Sequence, residues 1–490
     1  MCSPSRATLL TGLYPAQHGV TLTHTAADLT PDPKNAPFVV AKMADLMRRP
    51  GAPRDRLLRG FGRGLLRIGP RSGNEPELPT DLPNLATILR GAGYEVQYRG
   101  KWHLTHPGGG EWSEADSERL ERDYGFAGWV PPDAGENTKA ENFGGGNAGP
   151  HAAGWDEVYT RQVEDFLGRD DLPEPFCLVV SLVNPHDVLG YPASYERGGY
   201  STSEFRDLGV DLPPSFDEDL SGKPSVHTLM QMGMTAYLGP LRGRQAQLDY
   251  VNFYAYLHRV IDEKLGRVIG ALGDADDPGS LRSRTVVVRV SDHGEMGLSH
   301  GGLRQKAFNA YEETVRVPIV VSCPALFPQP AETDAIAGLI DLTPTIASLA
   351  GASPNGEMRG KDLTPVVAEH AGGEHEWLRG VSPAPSVHEC FHFTYDDHQA
   401  GTAMRNVTGQ PNRLRAVGDG RWKYGLYFDP AGNSASEYEL YDLERDPDEM
   451  ENLVDYRTGE VLDPAHHGAL QQMRERLRVA MHDSGTAPNT

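Results

Sequence analysis

Met1-Cys2-Ser3-Pro4-Ser5-Arg6-Ala7-Thr8-Leu9-Leu10-Thr11-Gly12 is the stretch from which the rest of this chain can be read. Ser3-Pro4 reads as an N-cap followed by proline at the first helical position. Ala7 to Leu10 are good helix formers, and Gly12 stops the helix. Cys2 then sits at a helix N-terminus, where free N–H groups and the helix dipole favour anions and thiolates. Arg6, close to one turn along, is placed to return to the same spot. A lone cysteine near a helix start is more often an inert packing residue, so the other segments have to decide its role.

Working outward, apolar strand-length runs alternate with helical patterns. Residues 82–93 read as a helix and 94–98 as a strand. Residues 176–183 are a continuous apolar run ending in Asn184-Pro185-His186-Asp187. Residues 248–272 carry Val251, Tyr254, Leu257, Ile261, Leu265, Val268 and Leu272 at helical spacing. Residues 285–290 form a β-branched strand ending in Ser291-Asp292-His293-Gly294, residues 317–322 another strand, and 341–351 a helix closed by glycine. Such alternation predicts an α/β fold with a large, mostly parallel central sheet flanked by helices. The polar motifs follow strand ends, where open α/β sheets place ligands. A composition shift near residues 366–385 sets the expected boundary between a catalytic domain, 1–370, and a smaller C-terminal α+β domain, 371–490. Residues 414–417 and 422–428 read as strands of that second domain and 467–481 as its helix.

Composition narrows the partners. The 46 basic and 68 acidic residues give a net charge of −22, which argues against nucleic acid or an anionic membrane as the main partner. A locally basic site for an anionic substrate stays compatible with it. The four cysteines, Cys2, Cys177, Cys323 and Cys390, have no metal-type spacing and suggest no disulfide framework. Cys177 and Cys323 lie in apolar runs and read as core residues. The chain as written carries no transmembrane run and no signal peptide, which favours a cytoplasmic location unless a signal lies upstream. A basic stretch at residues 48–71, around Leu57-Leu58 and Leu65-Leu66, reads as a solvated amphipathic helix in preference to a substrate rim.

Three further motifs carry chemistry. In Gly100-Lys101-Trp102-His103-Leu104, Lys101 and His103 converge on one anion only if the backbone is extended there. His186 stands just past a buried strand, a position more often structural. Asp292 and His293, adjacent at a strand end with Gly294 allowing close backbone approach, suit a divalent metal, although Asp-His-Gly is also ordinary turn chemistry.

Taken together these segments resemble the type I, formylglycine-dependent sulfatases of the alkaline phosphatase superfamily. The run from Cys2 through Pro4 and Arg6 to Thr11-Gly12 is similar to their signature as a unit. Gly100 to Leu104 resembles the second motif, although Val96 and Arg99 depart from its usual lead-in. Lys306 resembles the second active-site lysine, with Arg304 as an alternative. Asp341-Leu342-Thr343-Pro344-Thr345 and the segment from Glu439 to Leu453 resemble later landmarks, so the likeness covers nearly the whole chain. The resemblance implies that Cys2 is oxidised to formylglycine by a formylglycine-generating enzyme, and that the hydrated aldehyde attacks sulfur in a small-molecule or glycan sulfate ester. Arg6 orients the hydrate. Lys101, Lys306 and His186 absorb charge on the transferring group, with His186 and Lys306 as candidate acids for the leaving alcohol. His103 assists expulsion of sulfate. Cys2, Asp292 and His293 map as metal ligands. Calcium is the expected ion, and a histidine ligand makes manganese or another transition metal more plausible than asparagine would.

One part of the pattern differs. The family places a central strand ending in paired aspartates before its signature, and here only Met1 precedes Cys2. The expectation is that the metal has too few hard ligands, that two strands keep unpaired edges inside the protein, and that the reading frame continues upstream. The alternatives to a sulfatase are a phosphonate or phosphate monoester hydrolase on the same fold and an inactive anion- or glycan-binding remnant.

Overall fold

The strand runs find partners in a way that their apolar character alone does not specify. Glu95–Gly100 (β1) and Phe176–Ser181 (β2) pair in parallel, in register from Glu95 opposite Phe176 to Gly100 opposite Ser181. Val287–Val290 (β3) and Ile319–Ser322 (β4) pair antiparallel. The computed structural model describes residues 1–24, 33–48, 75–135, 139–146, 154–353, 356–373, 375–397 and 411–488. Among these the strands of the expected large sheet pair as two two-stranded sheets. A cavity of about 1310 Å³ lies against both, lined by Leu178 and Val180 of β2, Val288 of β3, and Ile261, Leu265 and Ile346 from helices. All six residues of β2 are therefore half-buried. Cys177, expected in the core, is half-buried with them, while Cys323 is buried; all four cysteines are free. The basic stretch read at 48–71 lies outside the described residues from 49 onward.

Helices cover this layer. Leu85–Gly91 starts at Asn84, whose side chain accepts from the N–H groups of Ala86 and Thr87 at 2.9 and 3.1 Å, satisfying donors the helix start leaves free. Its Leu85, Ile88 and Leu89 pack on Val96, Tyr98 and Trp102. The helix read at 248–272 spans Gly243–Gly270. One side buries Tyr250, Phe253, Leu257 and Val260 in an aromatic cluster with Tyr191, Tyr195 and Phe205, and the other presents Tyr254, Ile261 and Leu265 to the cavity. No described helix is long and apolar enough to cross a membrane.

The C-terminal unit is a four-stranded antiparallel sheet: Phe391–Tyr395 (β5), Arg413–Gly418 (β6), Trp422–Phe428 (β7) and Glu437–Asp442 (β8), in that order. Helix His467–Ser484 lays Leu470, Met473 and Leu477 on Val417, Tyr424 and Leu440. Polar contacts made by buried side chains tie this sheet to the rest. Lys423 Nζ meets Glu312 at 2.7 Å and Glu449 at 2.8 Å, and Ser225 donates to Glu437.

Candidate active site

Residues from five distant segments meet around Cys2. Its helix runs Cys2–Thr11 and ends at Gly12 in the left-handed region, φ 67°. The start differs from the sequence reading. Met1, not Ser3, precedes the helix, and Ser3 and Pro4 lie in its first turn. Ser3 Oγ is drawn off to accept from the His24 N–H at 3.0 Å, so it caps a neighbouring loop instead. Cys2 is nonetheless at the helix N-terminus and buried.

The loop after β3 brings Asp292 and His293 to this point. His293 Nδ1 donates to the Gly294 carbonyl at 2.9 Å, which leaves Nε2 turned to Cys2 Sγ at 3.1 Å. Gly294 is needed here, because a Cβ would lie 1.9 Å from the Glu313 carbonyl oxygen. Ser5 Oγ donates to the Asp292 carbonyl. Arg6 Nε faces Asp292 Oδ2 at 3.1 Å, while its Nη1 donates to the Lys101 carbonyl at 3.0 Å and to Ser181 Oγ at 2.7 Å. Arg6 thus ties the ends of β1, β2 and β3 to the Cys2 helix. Burial raises the Asp292 carboxyl, but His293 and Arg6 outweigh it and hold Asp292 below the usual aspartate value, hence ionised.

β1 delivers Lys101 and His103, both buried. Lys101 Nζ donates to the Gly135 carbonyl at 2.6 Å, and burial depresses its pKa. His103 Nε2 donates to the His24 carbonyl at 2.7 Å. Its Nδ1 is therefore the bare nitrogen, and the ring interacts with the Cys2 thiol. Burial and Lys101 push His103 down to about 3, so it is neutral at physiological pH. His186, past the end of β2, is likewise held well below the ordinary histidine value by burial and by Lys101 and Lys306. Burial alone would raise the Cys2 thiol. The positive field of Lys306 and Lys101, with the His293 and His103 rings against the sulfur, overturns that and places the thiol well below its ordinary value.

Lys306 and Arg304, alternatives in sequence, part company. Gln305 between them is in the left-handed region, φ 72°. Lys306 lines the cavity with its Nζ on Gln305 Oε1 at 3.2 Å. Arg304 points into the protein and donates to the carbonyls of Met234 and Gly239 at 2.9 and 2.8 Å, so it closes a helix end and does not reach the site.

The donor set Cys2, Asp292 and His293 places one ligand atom from each within 4.8 Å of the others. An ionised carboxylate and an imidazole nitrogen turned toward Cys2 suit a divalent ion. One carboxylate among three donors suits manganese or another transition ion better than calcium, which takes six to eight oxygens. Sequence reading missed Asp133, Asp156, Ser181 and Gln305. None has a local signal, because each acts through a contact with a segment distant in sequence or through its own backbone conformation.

A family model described as Sulfatase matches residues 1–352, and one described as N-sulphoglucosamine sulphohydrolase, C-terminal, matches residues 300–477. The uncharacterized sulfatase YidJ of Escherichia coli (strain K12) is 26% identical over 414 residues, covering 80% of this chain and 72% of that protein. Choline-sulfatase of Rhizobium meliloti (strain 1021) is 27% identical over 429 residues, covering 82% and 72%. Among solved structures, a protein in complex with its substrate D-glucosamine-2-N,6-O-disulfate is 18% identical with a TM-score of 0.63, covering 100% of this chain and 89% of that one. The phosphonate monoester hydrolase of Agrobacterium radiobacter is 20% identical with a TM-score of 0.62, covering 99% and 86%. At these identities the two structures show the shared α/β fold.

Proposed function

The chain belongs to the sulfatase family and is a sulfuric ester hydrolase, and we propose that Cys2, converted to formylglycine, carries its nucleophile beside a divalent metal held by Asp292, His293 and residue 2. The observation that carries this reading is the setting of Cys2: buried at a helix N-terminus, 3.1 Å from His293, in the positive field of Lys101 and Lys306. The hydrated aldehyde would supply a hydroxyl nucleophile, and a divalent ion held by Asp292, His293 and residue 2 would supply Lewis-acid polarisation beside it.

The chain's own side chains do the rest. Lys101 and Lys306 hold the anionic group by charge and absorb negative charge as it builds on the sulfate oxygens. Arg6, fixed on Asp292 and the ends of two strands, orients residue 2. His103, neutral and with Nδ1 bare, takes a proton from residue 2 when sulfate is expelled. His186, held neutral, serves as a hydrogen-bond donor to the leaving oxygen, and Lys306 is the candidate acid for it. Residues 1–370 carry this chemistry and 371–490 form the smaller unit beside it. The substrate is a sulfate monoester of a small molecule or a glycan, and sugar sulfates are the class to test first, given the disulfated glucosamine bound by a structural neighbour. The same cradle suits tetrahedral phosphorus, a second reading favoured by the likeness to a phosphonate monoester hydrolase.

The test has two arms. After co-expression with a formylglycine-generating enzyme, the tryptic peptide ending at Arg6 should lose the thiol sulfur and gain an aldehyde. Aryl sulfate should then be cleaved faster than the matching aryl phosphonate. An unmodified thiol excludes the Cys2 assignment, and a faster phosphonate rate exchanges the two readings.

A further inference from the structure

The Lys101 to His103 segment does not hold its own shape. β1 ends at Gly100, φ 107°, where a Cβ would lie 1.9 Å from the Ser181 carbonyl oxygen. The Lys101 N–H still finds that oxygen at 2.9 Å. Beyond it the parallel ladder stops, and the N–H groups of Trp102 and His103 are buried without a strand to receive them. His103 is in the left-handed region, φ 61°, uncommon for a residue with a side chain. Both N–H groups go to one carboxylate: Asp133 Oδ1 accepts from Trp102 at 2.8 Å and Oδ2 from His103 at 2.5 Å. Asp133 is 1% exposed, and Trp102 beside it is fully buried among Tyr98, Tyr124 and Phe126. Two residues on, the Gly135 carbonyl receives the Lys101 ammonium.

The same construction stands at the neighbouring strand end. Asp156, fully buried, accepts from the N–H groups of Val183 and Asn184 at 2.6 and 3.0 Å, with only Pro185 between them and His186. Two active-site loops leaving adjacent strands are each held by one buried carboxylate spanning two consecutive N–H groups. Two such clamps at equivalent places mark a device, because a buried carboxylate without such partners is costly.

Resting on the sulfatase reading above, we propose that Asp133 is a positioning residue that fixes the backbone at Trp102 and His103 so that the bare Nδ1 of His103 is aimed at residue 2. Asp133 touches neither substrate nor Cys2; it acts through His103. A carboxylate is required, since an amide offers one acceptor oxygen and would turn an NH₂ group toward the second N–H donor.

The experiment compares Asp133→Asn, His103→Ala and the double variant in the full chain, matured and assayed on an aryl sulfate. Asp133→Asn should lower kcat at least tenfold with KM within twofold, while adding it to His103→Ala should lower kcat less than threefold further. Asp133→Glu keeps both oxygens but displaces them, and should fall between wild type and Asp133→Asn; it serves if the asparagine variant does not fold. Hydrogen exchange read at the Trp102 and His103 amides should accelerate at least tenfold in Asp133→Asn. Equal losses in both backgrounds, or kcat and KM changing together, would overturn the proposal. If wild type cleaves no sulfate ester, the functional reading fails on its own. Unchanged exchange at the two amides would then still refute the clamp.

Discussion

Removing Arg6 tests whether one side chain ties the strand ends to the Cys2 helix. Arg6→Ala breaks the contact with Asp292 at 3.1 Å. At an effective dielectric constant of about 20 a pair at that distance attracts by roughly 5 kcal/mol before desolvation is counted. Deleting one partner of a buried pair costs about 3–5 kcal/mol, because the other charge is left uncompensated. The two side chains are 13% and 21% exposed, so water compensates in part and about 3 kcal/mol is the expected loss. The Lys101 carbonyl and Ser181, which also lose a donor, line the cavity and can be rehydrated. For 490 residues the unfolding entropy is on the order of 1 kcal/mol per kelvin, so the thermal midpoint should drop by about 3 °C. Asp292→Ala should give a similar shift. The double variant should fall short of the sum of the two by about 2 °C, since the second deletion removes a charge already unpaired. The pH dependence has a definite sign. Asp292 is depressed in the folded state, so its stabilisation is complete above the unfolded value of 3.8 and is lost as pH falls through the folded value. The gap between wild type and Arg6→Ala should therefore close under strong acid. Scanning calorimetry of the four proteins measures this, and midpoint shifts that simply add, with a gap independent of pH, would refute the coupling.

Two other outcomes are expected. Asp292→Asn should weaken binding of Mn²⁺, titrated calorimetrically into the isolated protein, by at least tenfold with the fold intact by circular dichroism; unchanged affinity would remove Asp292 from the ligand set. His300 is raised to about 9 despite burial, because Glu218 and Glu313 bond its ring. Its contribution is complete below the unfolded value of 6.5 and is lost as pH rises through 9, a decline of about 1.4 kcal/mol per pH unit between them. His300→Gln should flatten that decline in urea midpoints measured at pH 7.5 and 9, and an undiminished decline would exclude His300 as its source.

What the sequence determined by itself was whatever rides on a local pattern. Cys2 and Arg6 share a helix whose glycine stop is readable although its start lies two residues earlier than Ser3 suggests, and Lys101, His103, His186, Asp292 and His293 each follow a strand run recognisable from its apolar residues. Strand and helix identities followed from the same periodicities, as in β7 and the helix Gly243–Gly270. Tertiary structure decided the rest. Arg304 and Lys306 are chemically alike and two residues apart. Only the left-handed backbone at Gln305 sends one to a helix end and the other to the site. Lys101 and His103 were expected to converge through an extended backbone, yet His103 is left-handed and is held there by Asp133, thirty residues on in a loop with no periodicity. The run 176–183 reads as fully buried, but β2 is half-buried because its side chains face a cavity instead of a packed layer. Local patterns fix which backbone conformation a segment prefers, whereas a buried carboxylate or a strand's second neighbour is supplied by chain distant in sequence, and only the folded structure brings the two together.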